Sequence, residues 1–247
     1  MISKIKIPPF SIIIPIYNEK KILVTQIEKL RQSLSIFSPD NYEIILVENG
    51  SSDKTYLIAK KLAKKYKSMH VYSLGYPCYG DSIKKGISKS KHNFIIQFDI
   101  DFINKNFLMT SLKLLNNFDI IIGSKLHKKS NDKRPYFRIL LTKSLNIFLK
   151  TFFSYKGGDT HGIKAYNKKR ITPLLKKVVA KHHFFETELI LRAYNSNFKI
   201  KELPIDIEEI RPTRFPVMIR LHQAGRELIS MLKLRNEIVK KHNIPSR

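Results

Sequence analysis

The sequence predicts an α/β fold with an open, mostly parallel sheet, and three observations support this. Over residues 10–98, short apolar runs alternate with amphipathic segments at a period of roughly 30 residues, the size of one strand–helix–strand unit. The apolar runs are continuous, as in strands buried on both faces. Polar loops follow three of these runs, and ligands of such sheets bind beyond the carboxyl ends of the strands.

The first half of the chain reads as strand–helix pairs. Strands are predicted at residues 10–15, 42–47, 69–74 and 93–98. Asn18 is expected to be the N-cap of the first helix, with Glu19 in its first turn. The apolar face of that helix has helical spacing: Leu23, Ile27, Leu30, Leu34 and Phe37. A second helix over 53–67 is expected to bury Leu57, Leu62, Ala63 and Tyr66, and a third covers 81–90.

The pattern changes after the fourth strand. Another strand is predicted at 118–122, and a polar, basic loop follows at 126–134. Residues 135–153 read as a helix with Pro135 in its first turn. This helix is mostly apolar, with one polar stripe: Arg138, Thr142, Asn146 and Lys150. We expect so wide an apolar face to be buried or to touch something apolar outside the protein.

Short strands and helices are predicted between residues 163 and 209, before a long helix near the C-terminus. A strand is expected at 163–166, helices at 168–179 and 184–194, and edge strands at 199–202 and 204–209; Phe184 and Phe185 are expected to be core. A long amphipathic helix is predicted at 216–241. We therefore expect one domain over 1–215, with a nucleotide half (10–101) and an acceptor half (102–215), followed by a basic helical tail (216–247).

The amino-acid composition excludes several classes of protein. With 247 residues and 43% hydrophobic content, the chain can build a core and is not a disordered protein. Its single cysteine, Cys78, allows no disulfide framework, which fits a reducing compartment. The chain has no apolar run of about 18–20 residues and does not begin with the apolar core of a signal peptide. We therefore expect a cytoplasmic protein.

The formal net charge is +26, and most of the excess lies after residue 122. A basic surface attracts anionic substrates, anionic lipid or nucleic acid. A general bias of the sequence toward lysine accounts for the charge equally well, so both explanations stay open.

Two carboxylates end the fourth predicted strand. Asp99 and Asp101 directly follow the apolar run and are separated by one residue. Mg²⁺ and similar hard cations bind through one or two carboxylates together with phosphate oxygens of a substrate. The pair therefore indicates a site for Mg²⁺ or Mn²⁺, although by itself it is a weak signal, because two acids at a strand end are also compatible with a simple turn cap.

Taken in order, the strand-end loops resemble the family 2 glycosyltransferases of the GT-A fold: Pro15-x-Tyr17-Asn18-Glu19, Glu48-Asn49-Gly50-Ser51-x-Asp53 and Asp99-x-Asp101. Later segments are similar to the polyprenyl-phosphate sugar synthases, which include the dolichyl-phosphate mannose and glucose synthases: Gly123-Ser124-Lys125 and the stretches 159–166, 185–189 and 201–205. The resemblance covers about residues 10–215. It implies a Rossmann-like, three-layer α/β/α fold, followed here by the C-terminal amphipathic helix.

The resemblance also implies roles for the loop residues. The nucleotide and its ribose are expected on the strand-end loops: Pro15, Tyr17, Glu19, Glu48, Asn49, Asp53 and Asp99. Asp99 and Asp101 are expected to hold the Mg²⁺ or Mn²⁺ that neutralises the departing nucleoside diphosphate. Helix capping remains an alternative role for Glu19 and Asp53.

Three departures from the family pattern bear on specificity. Glu48-Asn49 stands where many relatives have two aspartates, and an amide suits the donor and acceptor of uracil, so a UDP-sugar is favoured over a GDP-sugar. Lys125 stands where relatives often have arginine, which keeps the charge but loses the bidentate fork. The spacing from Asp159 to Gly162 is one residue shorter than in the mannose synthases, which weakens the carry-over of their acceptor site.

The acceptor decides which catalytic residues are expected. A polyprenyl phosphate is already anionic and needs no strong base, so basic residues must hold it: Lys125, Arg138, Arg211 and Arg214 are the candidates. The loop 126–134 would be a lid, and helix 135–153 would lie at an anionic membrane surface. A sugar hydroxyl acceptor would instead require a base. The candidates for that role are Glu186, Glu188, Asp159 and His161.

The sequence thus predicts a metal-dependent, inverting glycosyltransferase. It would move a hexose from a nucleotide sugar to a polyprenyl phosphate at the cytoplasmic membrane face, as a peripheral protein with or without an integral membrane partner. A transferase that extends a glycolipid or surface polysaccharide is the second expectation. A non-catalytic basic protein that binds anionic membrane or RNA is the third. Nucleic acid is the least expected of these partners, because no platform of aromatic residues interleaved with basic ones is evident.

Overall fold

Seven strands form one sheet in the computed structural model, which describes residues 7–182, 184–207 and 217–241, without the side chains of 217–224. The strands are β1 (Phe10–Ile16), β2 (Tyr42–Glu48), β3 (Met69–Ser73), β4 (Phe94–Gln97), β5 (Ile120–Ser124), β6 (Lys164–Asn167) and β7 (Ile200–Pro204). Their order across the sheet is β3-β2-β1-β4-β6-β5-β7. The sheet thus joins the predicted nucleotide and acceptor halves, because β4 pairs with β6.

Most of the sheet is parallel, as the sequence predicts. Parallel pairs are β1 with β2, β1 with β4, β2 with β3, and β5 with β7. The exception is β6, which runs antiparallel to both of its neighbours, β4 and β5. The apolar run of β6 has no feature that reports its direction, so the sequence could not predict this reversal.

Helices cover both faces of the sheet. They are α1 (Leu23–Leu34), α2 (Thr55–Lys65), α3 (Tyr79–Lys89), α4 (Lys105–Leu114), α5 (Tyr136–Phe153), α6 (Lys168–Leu175), α7 (Phe185–Asn195), α8 (Val217–Lys233) and α9 (Arg235–Val239). One hydrophobic core lies against α1, α2 and α4, and a second lies against α3, α5, α6, α7 and α9. This is the predicted three-layer α/β/α arrangement.

The central strand β1 shows why its sequence is apolar at almost every position. Ile12, Ile14 and Ile16 belong to one core, while Ile13 belongs to the other. Side chains alternate between the two faces of a strand, so a strand covered on both sides must be apolar throughout. The predicted inner face of α1 is confirmed, since Leu23, Ile27, Leu30 and Leu34 are buried.

Two predictions for the first half need correction, and one helix was not predicted. Asn18 does not cap α1, which begins at Leu23; its backbone has a positive φ of 54°, which Asn tolerates in tight loops. In α2, Leu57 is 58% exposed and Ala59 is buried instead, whereas the predicted Leu62 is buried and Ala63 and Tyr66 pack against the core. Helix α4 was not predicted, although the Asn104 side chain caps it by accepting from the Phe107 N–H at 2.8 Å.

The C-terminal region also differs from its prediction. The long helix is interrupted at Leu234, giving α8 and α9. Of the second predicted edge strand, the part that the structure describes makes only a single bridge, between Asp132 and Ile207. No helix in the described ranges is long and apolar enough to cross a membrane.

Helix α5 turns the middle of its polar stripe toward the protein, whereas Lys150 at the end of the stripe is exposed. Asn146 is buried and donates to the carbonyls of Gly157, at 3.1 Å, and Gly158. Only Leu149 and Phe153 among its large apolar side chains are buried. Six others are exposed by 40–77%: Tyr136, Phe137, Leu140, Leu141, Ile147 and Phe152. The predicted contact with something apolar outside the protein therefore has a surface available for it.

Candidate active site

The loops after β1 and β2 are joined at the carboxyl edge of the sheet, as predicted. The backbone N–H of Asn18 donates to Ser51 Oγ at 3.1 Å, and the Asn18 side-chain oxygen accepts from the Ser52 N–H at 2.9 Å. The positive φ of Asn18 aims its side chain at this neighbouring loop instead of at α1. The strand order places the loop after β4 beside them.

Glu48 and Asn49 are both buried and already have partners. Glu48 accepts from the Ser51 N–H with one carboxylate oxygen and from Ser73 Oγ, at 2.6 Å, with the other. The Asn49 side-chain oxygen accepts from the Cys78 N–H at 2.5 Å. The hydrogen bonds of these oxygens therefore hold the loops in shape. Of the polar groups of the two side chains, only the Asn49 N–H₂ group has no hydrogen-bond partner among the described residues.

Asp53 and Glu19 tie the two loops together at their helix ends. The Glu19 N–H donates to Thr55 Oγ1 at 2.7 Å, and Asp53 accepts from the Thr55 N–H at 2.8 Å and from the Lys20 N–H at 3.3 Å. Burial would raise the pKa of Asp53, but these hydrogen bonds outweigh it and lower the pKa. Pro15 and Tyr17 are half-buried at the end of β1.

The acidic centre is the Asp99 and Asp101 pair, both half-buried in the turn after β4. Burial, together with the negative charges of Glu186 and Asp101, raises the pKa of Asp99 to about 6, against the opposing influence of Lys164 and Lys125. Neighbouring carboxylates that repel one another are a setting in which a divalent cation is stabilised.

No cluster of three metal-ligating side chains occurs among the described residues. Asp99 and Asp101 offer two carboxylates at one strand end, a donor set that fits a Mg²⁺- or Mn²⁺-type site, in which one or two carboxylates act together with phosphate oxygens of the ligand. They do not fit a closed site made by the protein alone.

Glu186, in the first turn of α7, lies beside this centre in a buried polar network. Its Oε1 is 2.9 Å from Lys164 Nζ and accepts from Tyr79 Oη at 3.2 Å and from Gln97 Nε2. Gln97 in turn accepts from Tyr166 Oη at 2.9 Å. The network links α3, β4, β6 and α7 beneath the Asp99 turn.

A second ion pair lies next to the first. Lys125 Nζ is 2.9 Å from Asp159 Oδ2 and donates to the His161 carbonyl at 3.1 Å. Burial would raise the pKa of Asp159, but the charge of Lys125 and its hydrogen bond lower it. Burial also lowers the pKa of His161, which favours the neutral imidazole. Lys125 is thus a fixed cation at the end of β5.

A cavity of about 540 Å³ opens from this second ion pair along α5. Lys125, Asp159 and His161 form one wall, with Arg134 and Arg138 nearby. The rest of its lining is largely apolar: Leu126, Phe137, Leu141, Leu145, Phe148, Leu149, Phe184 and Leu228. The cavity therefore combines a cationic end with a long apolar wall.

Not every sequence candidate joins the site. Glu188 accepts from the Val179 and Ala180 N–H groups, at 3.0 and 2.8 Å, and from Arg192 at 2.7 Å. Both of its oxygens are engaged in this buried structural role, on a different side of α7 from Glu186. Arg138 lines the cavity. Arg211 and Arg214 lie outside the described residues.

Sequence reasoning missed four members of the site: Tyr79, Gln97, Lys164 and Tyr166. The sequence contains a feature that could have identified two of them. Gln97 is a polar residue inside an otherwise apolar strand, two positions before Asp99. Lys164 is a charged residue at the start of another apolar strand. Buried polar residues of this kind need partners, which is itself an indication of a site.

The fold and the strand-end loops together define a glycosyltransferase. Residues 11–172 match the family model of glycosyl transferase family 2, so the chain belongs to that family. The predicted resemblance is thereby confirmed.

Among curated proteins, the chain is 29% identical over 241 residues to the human dolichyl-phosphate beta-glucosyltransferase and 23% identical to that of Dictyostelium discoideum. These matches cover 89% of this chain and 73% and 72% of the relatives. It is also 24% identical to glycosyltransferase AglD of Haloferax volcanii, again over 89% of this chain but spanning only 36% of that protein.

Among solved structures, the fold matches the glucosyl-3-phosphoglycerate synthase of Mycobacterium tuberculosis. The complex of that enzyme with UDP gives a TM-score of 0.66 at 17% identity, covering 92% of this chain and 80% of the other. The complex with Mn²⁺, UDP and glucosyl-3-phosphoglycerate gives a TM-score of 0.65. At this identity the similarity establishes the fold alone.

Proposed function

We propose that the protein transfers a hexose, with inversion, from a nucleotide diphosphate sugar to a polyprenyl phosphate at the cytoplasmic membrane face. The observation that carries the proposal is the cavity next to the Lys125–Asp159 ion pair, which has a cationic end and an apolar wall. A lipid phosphate matches both parts, whereas a soluble sugar acceptor has no use for the apolar wall. The dolichyl-phosphate beta-glucosyltransferase relatives support the same acceptor class.

The donor side is assigned to the joined loops and the Asp99 turn. Pro15, Tyr17, Glu19, Asn49 and Asp53 border the nucleotide, and Asp99 and Asp101 hold Mg²⁺ or Mn²⁺. When bound, the ion supplies positive charge against the leaving diphosphate. UDP is favoured over GDP because the structural neighbour was solved with Mn²⁺ and UDP-glucose. The expected pairing of the Asn49 amide with both a donor and an acceptor of uracil needs correction, since the Asn49 oxygen accepts from the Cys78 N–H and only its N–H₂ can face a base.

The acceptor phosphate is assigned to the cationic end of the cavity, near Lys125 and Arg138, with its isoprenoid chain along α5. A phosphate oxygen attacks the anomeric carbon, and the bond from that carbon to the diphosphate oxygen breaks on the opposite face. The phosphate is already an anion at neutral pH, so no general base is needed for this step. Lys125 is suited to fixing it because Asp159 and the His161 carbonyl hold the ammonium group in place.

Membrane association is assigned to α5. Its six exposed apolar side chains are adjacent to basic residues of the same region, including Lys133, Lys143 and Lys150, which are also exposed. Apolar insertion together with charge attraction to anionic lipid is the usual basis of peripheral membrane binding. Such docking would bring the cavity to the surface in which a polyprenyl phosphate resides.

A transferase that extends a glycolipid or polysaccharide at a sugar hydroxyl is the second candidate. One observation favours it: Glu186 is a buried carboxylate next to the acidic centre, and the hydrogen bonds that hold it all end on Oε1. A hydroxyl acceptor needs a base, and Glu186 is the described carboxylate best placed to be one.

The experiment is a transfer assay with purified protein and Mn²⁺ or Mg²⁺. UDP-glucose and GDP-mannose are each offered with a polyprenyl phosphate and, separately, with a sugar-hydroxyl acceptor. Nucleotide release that depends on the polyprenyl phosphate supports the proposal, and release that depends on the hydroxyl acceptor supports the second candidate. No turnover with either acceptor contradicts both.

The same assay tests the metal site. Asp101→Asn should leave the fold intact but lower turnover by about 100-fold or more, in line with the loss of a group that stabilises developing charge. Asp40→Asn, in the exposed 3-10 turn Pro39–Asn41, is the matched control and should leave turnover unchanged. Equal turnover by Asp101→Asn and the original protein would refute the site assignment.

A further inference from the structure

Only one of the two carboxylate oxygens of Glu186 has partners in the described structure, and the proposed reaction does not explain why. Three donors from three different elements converge on Oε1: Lys164 from β6, Gln97 from β4 and Tyr79 from α3. Oε2 has no hydrogen-bond partner among the residues that the structure describes. Glu186 itself is only 3% exposed and Lys164 is 0% exposed.

Such an arrangement is costly unless it serves a ligand. A buried ion pair is often no better for stability than apolar residues of the same volume, because both charges lose their hydration. A carboxylate held firmly by one oxygen, with the other left for a partner, is the form of a binding residue.

The rest of the network fixes the orientation further. Lys164 also donates to the Gly162 carbonyl at 2.8 Å, so its ammonium group is held from two sides. Tyr166 Oη is 2.9 Å from Gln97 Oε1, which makes the other end of the amide, Nε2, the end that faces Glu186. Each member thus limits the rotation of the next.

The position of Glu186 indicates what its free oxygen meets. One of its partners, Gln97, lies two residues before Asp99, and another, Lys164, also donates to the carbonyl of Gly162, next to His161. Glu186 is therefore held from the side of the acidic centre and from the side of the loop that lines the acceptor cavity. In the proposed reaction, these two sides hold the leaving diphosphate and the incoming phosphate. The group that occupies the space between them is the hexose itself.

We propose that Glu186 Oε2 accepts a hydrogen bond from a hydroxyl group of the donor hexose, and that Lys164 is the positioning residue that aims it. The inference rests on the proposed function only in requiring a nucleotide sugar donor. It assigns Glu186 to recognition of the sugar, in contrast to the base that a hydroxyl acceptor would need. A carboxylate is a strong acceptor for hydroxyl groups, and its rigid placement makes the contact selective.

The test measures the contribution of the hexose to binding. Dissociation constants for UDP and UDP-glucose, and for GDP and GDP-mannose, are determined by calorimetry with Mn²⁺ and no acceptor. Lys164→Met should leave the affinity for the nucleotide within about twofold but weaken the nucleotide sugar about tenfold, the effect of losing one well-placed hydrogen bond. Weakening of both by the same factor, or of neither, overturns the proposal.

Tyr79→Phe is a second variant in case Lys164→Met does not fold. It removes one hydroxyl that donates to Glu186 and should weaken the nucleotide sugar, but not the nucleotide, by about threefold. Tyr66→Phe is its matched control, because Tyr66 Oη donates to Glu28 on the outer surface; there both affinities should stay the same. An unchanged sugar affinity in Tyr79→Phe overturns the proposal.

Deoxy analogues separate recognition from a general structural effect. Analogues of the bound nucleotide sugar that lack one hydroxyl each are compared between the original protein and Lys164→Met, or Tyr79→Phe if the former does not fold. One analogue should bind the original protein about tenfold more weakly than the full sugar, and this penalty should shrink in the variant. An undiminished penalty, or no penalty for any analogue, overturns the proposal. If the original protein binds neither nucleotide sugar, the proposed function fails and this inference fails with it.

Discussion

At the scale of single residues, polar side chains at strand ends have two different functions. Glu48 and Asp53 direct their oxygens at backbone and hydroxyl donors and thereby shape the loops. Asp99 lies instead among other carboxylates, and its pKa is raised in consequence. Against the effect of burial, the hydrogen bonds of Asp53 lower its pKa, whereas a pKa raised by burial and neighbouring carboxylates is what is expected of a group that binds a cation.

The raised pKa of Asp99 predicts how stability depends on pH. The folded state holds this proton up to about pH 6, whereas the unfolded chain releases it near the ordinary value of 3.8. The contribution of Asp99 to metal-free stability is therefore present below about pH 4 and is lost as the pH rises through 6. Asp99→Asn should match the original protein near pH 4 and exceed it by about 1–2 kcal/mol at pH 8.

Urea unfolding in the presence of a chelator measures this difference at the two pH values. A constant difference between the two proteins across the range would contradict the assigned pKa. Mn²⁺ provides a second readout, because protons and the cation compete for Asp99. Mn²⁺ should raise the melting temperature of the original protein more at pH 8 than at pH 5, and should raise that of Asp99→Asn less at pH 8.

At the scale of elements, close approach of helix and sheet depends on single small residues. Helix α3 packs against β1 and β2 through Gly86. A Cβ atom at that position would overlap the Ile13 side chain and come within 3.3 Å of Val47. The sequence identifies Gly86 only as a poor helix former, because the reason for it lies in the neighbouring strands.

The effect of alanine at Gly86 should therefore have the opposite sign to helix propensity. Gly-to-Ala inside a helix normally stabilises by up to about 1 kcal/mol, but overpacking a core costs about 1–3 kcal/mol. Gly86→Ala should thus lower the free energy of unfolding in urea. Gly225→Ala in α8 is the matched control: no described atom lies within 4 Å of its added Cβ, so it should be neutral or stabilising. A stabilised Gly86→Ala would show that α3 can shift away.

At the scale of the whole molecule, the two sides of the sheet differ. The side of α1 and α2 has a few scattered exposed apolar residues, whereas α5 has six along one helix. The sequence pattern of an amphipathic helix gives its periodicity but not which face turns inward. In α5 the carbonyls of Gly157 and Gly158 need donors, so Asn146 turns inward and the apolar side chains turn out.

Membrane binding should accordingly depend on α5. The double variant Leu140→Ser, Ile147→Ser removes two exposed apolar side chains one heptad apart and should weaken binding to anionic vesicles by about tenfold or more. The double variant Ile36→Ser, Leu57→Ser removes comparably exposed side chains on the other side of the sheet and should bind normally. Flotation with phosphatidylglycerol vesicles compares them, and equal loss in both would exclude α5 as the docking surface.

The features that could be predicted from the sequence depend only on residues that are close together in the chain. Asp99 and Asp101 follow directly from where an apolar run stops, and the inner face of α1 follows from helical spacing. Lys164 could not be placed in the same way, because its approach to Glu186 depends on the reversed direction of β6. The outward face of α5 depends likewise on a loop that follows it in the chain.

The reversed strand β6 also affects how the chain can assemble as it is synthesised. Strand β4 is complete at Gln97, but one of its edges has no partner until residues 164–167 emerge from the ribosome. Contacts between segments so far apart in sequence form slowly, and an unpaired apolar strand edge is a template for aggregation. A nascent chain that ends before β6 would expose that edge. The nucleotide-binding half is therefore not expected to be stable by itself, even though its loops already hold the nucleotide motifs.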